Sequence, residues 1–451
     1  MKELYSANDY VGLDSDSKMI QAAVDDATKF GATAFIPSIN SRTGEPLWVL
    51  DEGIRLHSGS HVIIDGAHLR LGDDTCINFF LNDSAVEGER WWMSETRQKD
   101  ITIEGRGGAL LDGGNHNGIF EHCFNIYDES GKFIRKQEYR GFKNAAINRG
   151  VMLRNVERFE VSGLRFINQR YWGMCFEFCT AGHIHDISFE AHANVPNQDG
   201  IDIRVGCNNI LIENISGMVG DDMIALTNFG AAEEGDLDTS IHNVIIRNIR
   251  AFETSRCDMI RLLNRGGHQI YNVQISGVVD LTPEGDARRP LAGIRIGDLN
   301  DYPARLNEPG ETRNITVRDV VTRARFGVYC ANTLVDAVFD NIQMVADGGI
   351  GAYFNGAYLE NVYFDKLLYS STAHPPMSDI GYKHAHHRVS IDRLMAVGFN
   401  NTVTRNVVFR DVVTAKGLSA AFYSNEPIEA RASGVVLAEG VALTDGVDIK
   451  S

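Results

Sequence analysis

Short apolar–polar–apolar alternations recur along this chain and superpose in one register. The segments Tyr171-Trp172-Gly173-Met174-Cys175-Phe176, Gln198-Asp199-Gly200-Ile201-Asp202-Ile203 and Asp221-Asp222-Met223-Ile224-Ala225-Leu226 begin the series. Cys257-Asp258-Met259-Ile260-Arg261-Leu262, Leu291-Ala292-Gly293-Ile294-Arg295-Ile296 and Arg325-Phe326-Gly327-Val328-Tyr329-Cys330 continue it. Each reads as a short strand with one buried face. A second pattern interleaves with the first, always opened by asparagine: Asn209-Ile210-Leu211-Ile212, Asn243-Val244-Ile245-Ile246, Asn272-Val273-Gln274-Ile275, Asn314-Ile315-Thr316-Val317, Asn361-Val362-Tyr363-Phe364 and Asn406-Val407-Val408-Phe409. The shorter intervals, such as 314 to 336 (where Asp336 takes the place of Asn) and 243 to 272, run from 22 to 29 residues. The longer ones imply loop insertions or a coil with a degraded pattern.

Strand patterns at this period with a fixed asparagine corner predict a β-solenoid, in which no coil buries its apolar face alone and stacked coils share a core. Asparagine suits the corner because it tolerates the left-handed conformation and bonds neighbouring backbone. The Leu-x-x-Leu-x-Leu repeats of a leucine-rich horseshoe are absent. The expected architecture is therefore all-β, a right-handed parallel β-helix forming a single domain over 1–451, its handedness inferred from the fold type. An amphipathic helix is expected over 16–30, N-capped by Asp16 or Ser17, striped with Met19, Ile20, Ala23, Val24 and Ala27, and stopped by Gly31. It is placed to cover the open end of the core. Strands begin at Ala34-Phe35-Ile36-Pro37. Insertions follow at 82–98, with Trp91 and Trp92, and at 112–147. Further loops fall at 227–240, 281–290 and 370–390, the last with His384, His386 and His387. Central coils occupy 149–300, and 391–451 returns to strand pattern and finishes the stack.

Composition narrows the function. A solenoid grows linearly, so 451 residues fit one domain, and 44 glycines against 10 prolines suit many turns. No apolar run is long enough to span a membrane. The formal charge of −17 argues against nucleic acid as a partner, because that needs a basic face. Seven cysteines, at 76, 123, 175, 179, 207, 257 and 330, show no metal-ligand spacing. Their odd number, with no apolar signal-peptide core after Met1, leads us to expect reduced cytosolic thiols, unless a leader has been removed.

In the common register Asp199 falls on Asp222, with Asp221 beside it, so three carboxylates are expected on one outer face. Such crowding is costly and is usually kept for acid–base chemistry or a metal. Glycoside hydrolysis needs one protonated carboxyl to assist the leaving oxygen and one ionised carboxylate to activate water, and crowding separates the two pKa values. Arg295 lies in the lateral row of Asp202, Ala225 and Arg261. Together Arg261 and Arg295 could clamp a sugar carboxylate, or merely neutralise the acidic face. Trp172, one rung before Asp199, is either a sugar-stacking platform or an outward residue beneath a loop. Trp91-Trp92 is a distal platform or the anchor of its own loop, the histidine cluster reads as a solvated loop, and Asp202 is a corner support or a substrate contact.

The run from Arg154 to Leu226, with Asn197-Gln198-Asp199-Gly200-Ile201-Asp202 and then Gly220-Asp221-Asp222-Met223-Ile224-Ala225-Leu226, resembles glycoside hydrolase family 28, the polygalacturonase family. Asp16-Ser17 with Ile20-Gln21-Ala22-Ala23 is similar to the capping segment of pectin-active β-helix proteins. The resemblance implies that Asp221 is the general acid, that Asp199 and Asp222 hold the attacking water, that Asn197 belongs to the first motif, and that the outcome is inverting. It also exposes two departures. The family's Arg-Ile-Lys falls on Arg295-Ile296-Gly297, which loses the lysine, and its Gly-His-Gly falls on Cys257-Asp258-Met259, which exchanges histidine for Asp258. The expected substrate is then a pectin-derived, galacturonide-type oligosaccharide attacked from an end, with no cofactor and no metal. Competing readings are a calcium-dependent lyase using the aspartates as ligands, an epimerase on the same fold, and a non-catalytic glycan-binding solenoid. Nothing in the pattern indicates an oligomeric state.

Overall fold

The computed structural model describes residues 2–85, 97–118, 125–127, 133–136, 149–191, 195, 197–229, 237–253, 257–283, 289–297, 307–345, 349–370, 382–383, 388–389, 391 and 393–450. Trp91, Trp92, His384, His386 and His387 lie outside them. The chain is a right-handed parallel β-helix with an N-terminal helix. It divides into two compact units, residues 1–211 with 215–221 and residues 212–214 with 222–451.

The first unit opens with the helix Asp16–Phe30, whose expected stripe of Met19, Ile20, Ala23, Val24 and Ala27 is buried. Gly31 stops it in the left-handed conformation at φ 62°, where glycine carries no Cβ penalty. The N-cap is Ser15, not Asp16 or Ser17: Ser15 is extended and its hydroxyl accepts the Lys18 N–H. Asp16 and Ser17 are instead turned onto the first coil. Asp16 accepts from Asn40, Arg42 and the Val49 N–H, and the Ser17 hydroxyl accepts from the Asp51 and Glu52 N–H groups. The polar start of the helix thus supplies partners to the coil's otherwise open edge, and its apolar stripe closes the core.

Three stacks of parallel strands follow. One runs Thr33–Pro37, His61–Asp65, Gln98–Arg106, Val156–Ser162 and Thr180–Glu190. Another runs Trp48–Leu50, His68–Leu71, Leu110–Asp112 and Arg165–Ile167. The third runs Ile54–Leu56, Phe80–Asn82, Val151–Arg154, Met174–Glu177 and Ile201–Arg204. Its register, with Met174 opposite Ile201 and Phe176 opposite Ile203, is the one expected from the sequence.

In the second unit one stack comprises Ile224–Asn228, Asp258–Asn264, Ala292–Ile296, Phe326–Cys330, Ile350–Asn355 and Met395–Asn400. A second comprises Ile241–Glu253, Ile270–Asp280, Thr312–Thr322, Thr333–Met344, Tyr358–Tyr369 and Val403–Val413. The asparagine corners behave as their chemistry demands. Asn243, Asn272, Asn314, Asp336, Asn361 and Asn406 all take φ of 53–54°. The Asn272 amide donates to Asn243, Asn314 to Asn272, Asn361 to Asp336 and Asn406 to Asn361, at 2.9–3.1 Å. Inside, Phe339, Phe364 and Phe409 share one register and stack face to face at 4.4 and 5.0 Å. Each such ring taken from water contributes about 1.5–3 kcal/mol. No disulfide joins any of the six described cysteines to another.

Candidate active site

In the first unit the acidic motif is set by backbone. The Gly173 N–H donates to the Asp199 carbonyl and the Met174 N–H to the Gly200 carbonyl, both at 2.9 Å. A Cβ on Gly173 would stand 2.6 Å from the Phe189 ring and 2.8 Å from the Gly200 oxygen, so only glycine permits this approach. Asn197 turns into the segment at φ 61°. Gln198 is buried and holds the Gln169 carbonyl at 2.6 Å. The Gly220 N–H then donates to the Gln198 carbonyl at 3.1 Å. Asp199 and Asp221 are each the next residue after a member of that bonded pair, so one backbone hydrogen bond brings the two acidic motifs of this unit together. Asp199 and Asp202 are buried and Asp221 is half-buried. Burial raises the Tyr171 hydroxyl; Arg149 opposes this, and Asp199 and Asp202 add to it.

Beneath this segment lies a network of charges. The Glu177 carboxylate receives Arg149 at 3.1 Å and Arg154 at 2.7 Å, with Arg204 at 3.8 Å. Burial, the largest influence, would raise the Glu177 carboxyl, but Arg154, Arg149 and Arg204 together outweigh it and hold it at about 2. The guanidinium groups of Arg149 and Arg204 lie 4.6 and 4.8 Å from the Trp172 ring, and Tyr171 stacks on it at 4.8 Å. Trp172 therefore does not stand open as a sugar platform: cations and an aromatic ring already occupy its surroundings. It packs on the cluster of Ala85, Met152 and Cys175. Sequence reasoning missed Arg149, Arg154, Glu177, Arg204 and Tyr171. A signal was present, because Arg154, Glu177 and Arg204 end successive strands of one stack, an alternation of sign up a single row.

In the second unit one construction appears twice. Asp222 is buried; its Oδ1 accepts the Asp258 N–H at 2.9 Å and its Oδ2 accepts Arg261 Nη1 at 3.0 Å. One rung on, Asp258 Oδ1 accepts the Ala292 N–H at 3.1 Å and Oδ2 accepts Arg295 Nη1 at 3.2 Å. Each aspartate ties its strand to the next and pairs with an arginine from the next strand. Asp258 is thus the second member of a repeating Asp–Arg device. Arg261 and Arg295 are neighbours in the lateral row, as expected, but they are not an open pair. The Arg295 side chain is only 4% exposed and the Arg261 side chain 17%, so Arg261 is the guanidinium with surface to offer a substrate. Gly297, where the family has lysine, sits at φ 73° with a Cβ position 2.3 Å from Asn332 Cβ. A lysine side chain has no room there. Both oxygens of Asp222 and of Asp258 accept from N–H donors, one backbone and one guanidinium in each case.

Burial, the largest influence, pushes the Asp258 carboxyl up to about 7; Arg295 pulls it down, Asp222 pushes it up and Arg261 pulls it down. An acid raised in the folded state stabilises the fold while protonated, so this contribution is complete below about pH 4 and is lost as the pH climbs to about 7. Urea unfolding of wild type should show that decline over the window, and Asp258→Asn should flatten it. Equal pH slopes in the two proteins would contradict this assignment.

Residues 84–232 match the model of "Glycosyl hydrolases family 28". No curated protein matches the chain by sequence. Among solved structures, the tailspike protein of E. coli bacteriophage HK620 in complex with a pentasaccharide is 13% identical. That likeness covers 99% of this chain and 80% of the tailspike chain at a TM-score of 0.58, a similarity of fold. An exopolygalacturonase from Thermotoga maritima is 13% identical over 100% of this chain and 92% of its own, with a TM-score of 0.45. A polygalacturonase from Erwinia carotovora ssp. carotovora is 13% identical over 97% of this chain and 94% of its own, with a TM-score of 0.44.

Proposed function

We propose that this protein, whose residues 84–232 match the family 28 model, is a glycoside hydrolase that cleaves pectin-derived, galacturonide-type oligosaccharides by a single inverting displacement. Asp221 gives a proton to the leaving oxygen, while Asp199 and Asp222 hold and activate the attacking water. The observation that carries this reading is the hydrogen bond from Gly220 N–H to the Gln198 carbonyl, from which Asp199 and Asp221 both extend. Their different surroundings suit different tasks. Asp221 is half-buried and reaches solvent, as a group that must meet a glycosidic oxygen has to. Asp222 is buried and has each oxygen fixed by a donor, which suits orienting a water. Arg261, the more exposed of the two guanidiniums, is assigned to the substrate's carboxylate.

Attack from the chain end is part of the same proposal. It rests on the long insertions at 112–147, 227–240, 281–290 and 370–390, which a stack binding the middle of a polymer has little use for. Product analysis by mass spectrometry with ultraviolet detection, across uronic and neutral oligosaccharides, tests the whole reading. One water gained per cleavage, with single units released from an end, is the expected result. Unsaturated products absorbing in the ultraviolet would replace it with a lyase, and random internal cleavage at equal rates on polymer and oligomer would remove the end-attack element.

A further inference from the structure

The lateral row that carries Arg261 and Arg295 continues as Tyr329, Tyr353, Gly398 and Tyr423 in strict register. Glycine is out of keeping in a row of such large side chains, and the space above it is taken by its neighbours. Tyr353 leans toward it: a Cβ at Gly398 would lie 2.7 Å from Tyr353 Cδ2 and 3.1 Å from Met395 Sδ. Beside that ring a cavity of 260 Å³ forms a notch between Tyr353 and Tyr423, lined also by Ile391, Met395, Phe399, Asn400 and Asn425. We propose that this notch binds one uronate ring of the substrate, remote from the bond that is cleaved.

Three features define the ligand. The floor is edged by the rings of Tyr353 and Tyr423, and a pyranose presents an apolar face suited to a ring. A polar ladder runs beside the floor: Asn425 donates to Asn400 at 2.6 Å, Asn400 to Asn355 at 2.7 Å and Asn355 to the Tyr329 hydroxyl at 3.0 Å. An amide has two donor hydrogens and a two-lone-pair acceptor, so Asn400 and Asn425 retain capacity for sugar hydroxyls after making these bonds. The third feature is charge. Arg393 lies 5.2 Å from the centroid of Tyr423 and pairs with Asp445 at the exposed rim, a cation within reach of a ring carboxylate. From Arg295 to Tyr423 is four register steps, about 19 Å at the interstrand spacing. The notch is therefore available to long substrates and out of reach of a disaccharide held at Asp222 and Arg261.

The inference rests on the galacturonide reading above, and the test separates the two. Initial rates are measured on a hexasaccharide and a disaccharide of galacturonate with wild type, Tyr423→Ala, Tyr423→Phe and Arg393→Gln. Tyr423→Ala should raise KM for the hexasaccharide about tenfold, a single aromatic contact's worth, and leave kcat/KM for the disaccharide unchanged. Tyr423→Phe, which keeps the ring, should match wild type. Arg393→Gln, at the exposed rim where folding is not at stake, should weaken the hexasaccharide alone. An unchanged hexasaccharide KM, or equal losses on both substrates, overturns the notch. If wild type cleaves neither substrate, the galacturonide reading fails. Calorimetric titration with the same hexasaccharide then decides the notch by itself: binding lost in Tyr423→Ala sustains it, and no binding to wild type overturns it.

Discussion

Asp221→Asn is expected to lower kcat by roughly 10²–10⁴-fold, the usual contribution of a positioned general acid, with little change in KM. The amide keeps the size and shape of the carboxyl but has no acidic proton to give to the leaving oxygen. Because Asp221 is half-buried, its replacement should leave thermal unfolding close to wild type. The adjacent residue provides the contrast. Asp222 is buried and its two oxygens accept from Asp258 N–H and from Arg261, so Asp222→Asn turns an amide NH₂ toward one of these donors. That variant should lose both activity and stability. Initial rates and melting curves on the two variants side by side make the test. Near-normal turnover by Asp221→Asn would take the acid role from this residue, and equal loss of stability in both would show that the two neighbours have the same structural task.

The second large effect is one of stability. Glu177→Ala should cost about 3–5 kcal/mol, because it leaves buried guanidinium charge without its partner. Arg149 is the member most affected, since its side chain is 6% exposed and lies against Trp172. The same network imposes a pH dependence opposite in direction to that of Asp258. The Glu177 carboxyl is held at about 2 in the fold against about 4.3 in an unfolded chain. Its contribution is therefore complete above about pH 4.3 and is lost as the pH falls toward about 2, a loss of about 3 kcal/mol. Urea unfolding at successive pH values should show this acid limb in wild type and its reduction in Glu177→Gln. Unaltered stability in Glu177→Ala would mean that water, not the carboxylate, satisfies the three arginines.

Much of this molecule was legible in one dimension because a solenoid repeats itself. When each coil must present the same apolar positions to a shared core, the pattern of one strand can be laid over the next, and the register of Ile260, Ile294 and Val328 follows without coordinates. The asparagine corners were legible for the same reason, since each position needs a left-handed backbone and an amide that reaches the next coil. The helix over 16–30 was readable from its stripe and Gly31. Its cap was not, because Ser15, Asp16 and Ser17 are all competent caps, and only the seating of Asp16 and Ser17 on the first coil left Ser15 for the role.

Within the candidate site, the sequence determined which acids share a register and which arginines share a row, since strand alternation decides that. It did not determine how they pair. Arg261 and Arg295 looked alike in the pattern, yet one is largely enclosed and the other keeps surface, a difference that depends on what packs above each strand. The Glu177 cluster was hidden because its charges lie on different coils and meet only on stacking. Gly297 read as a lost lysine, whereas its backbone angle and the nearness of Asn332 leave no room for one. Periodic positions could be read from the chain because they depend on local alternation. The pairings, burial and vacant spaces depend on side chains far apart in sequence, and tertiary structure alone brings these together.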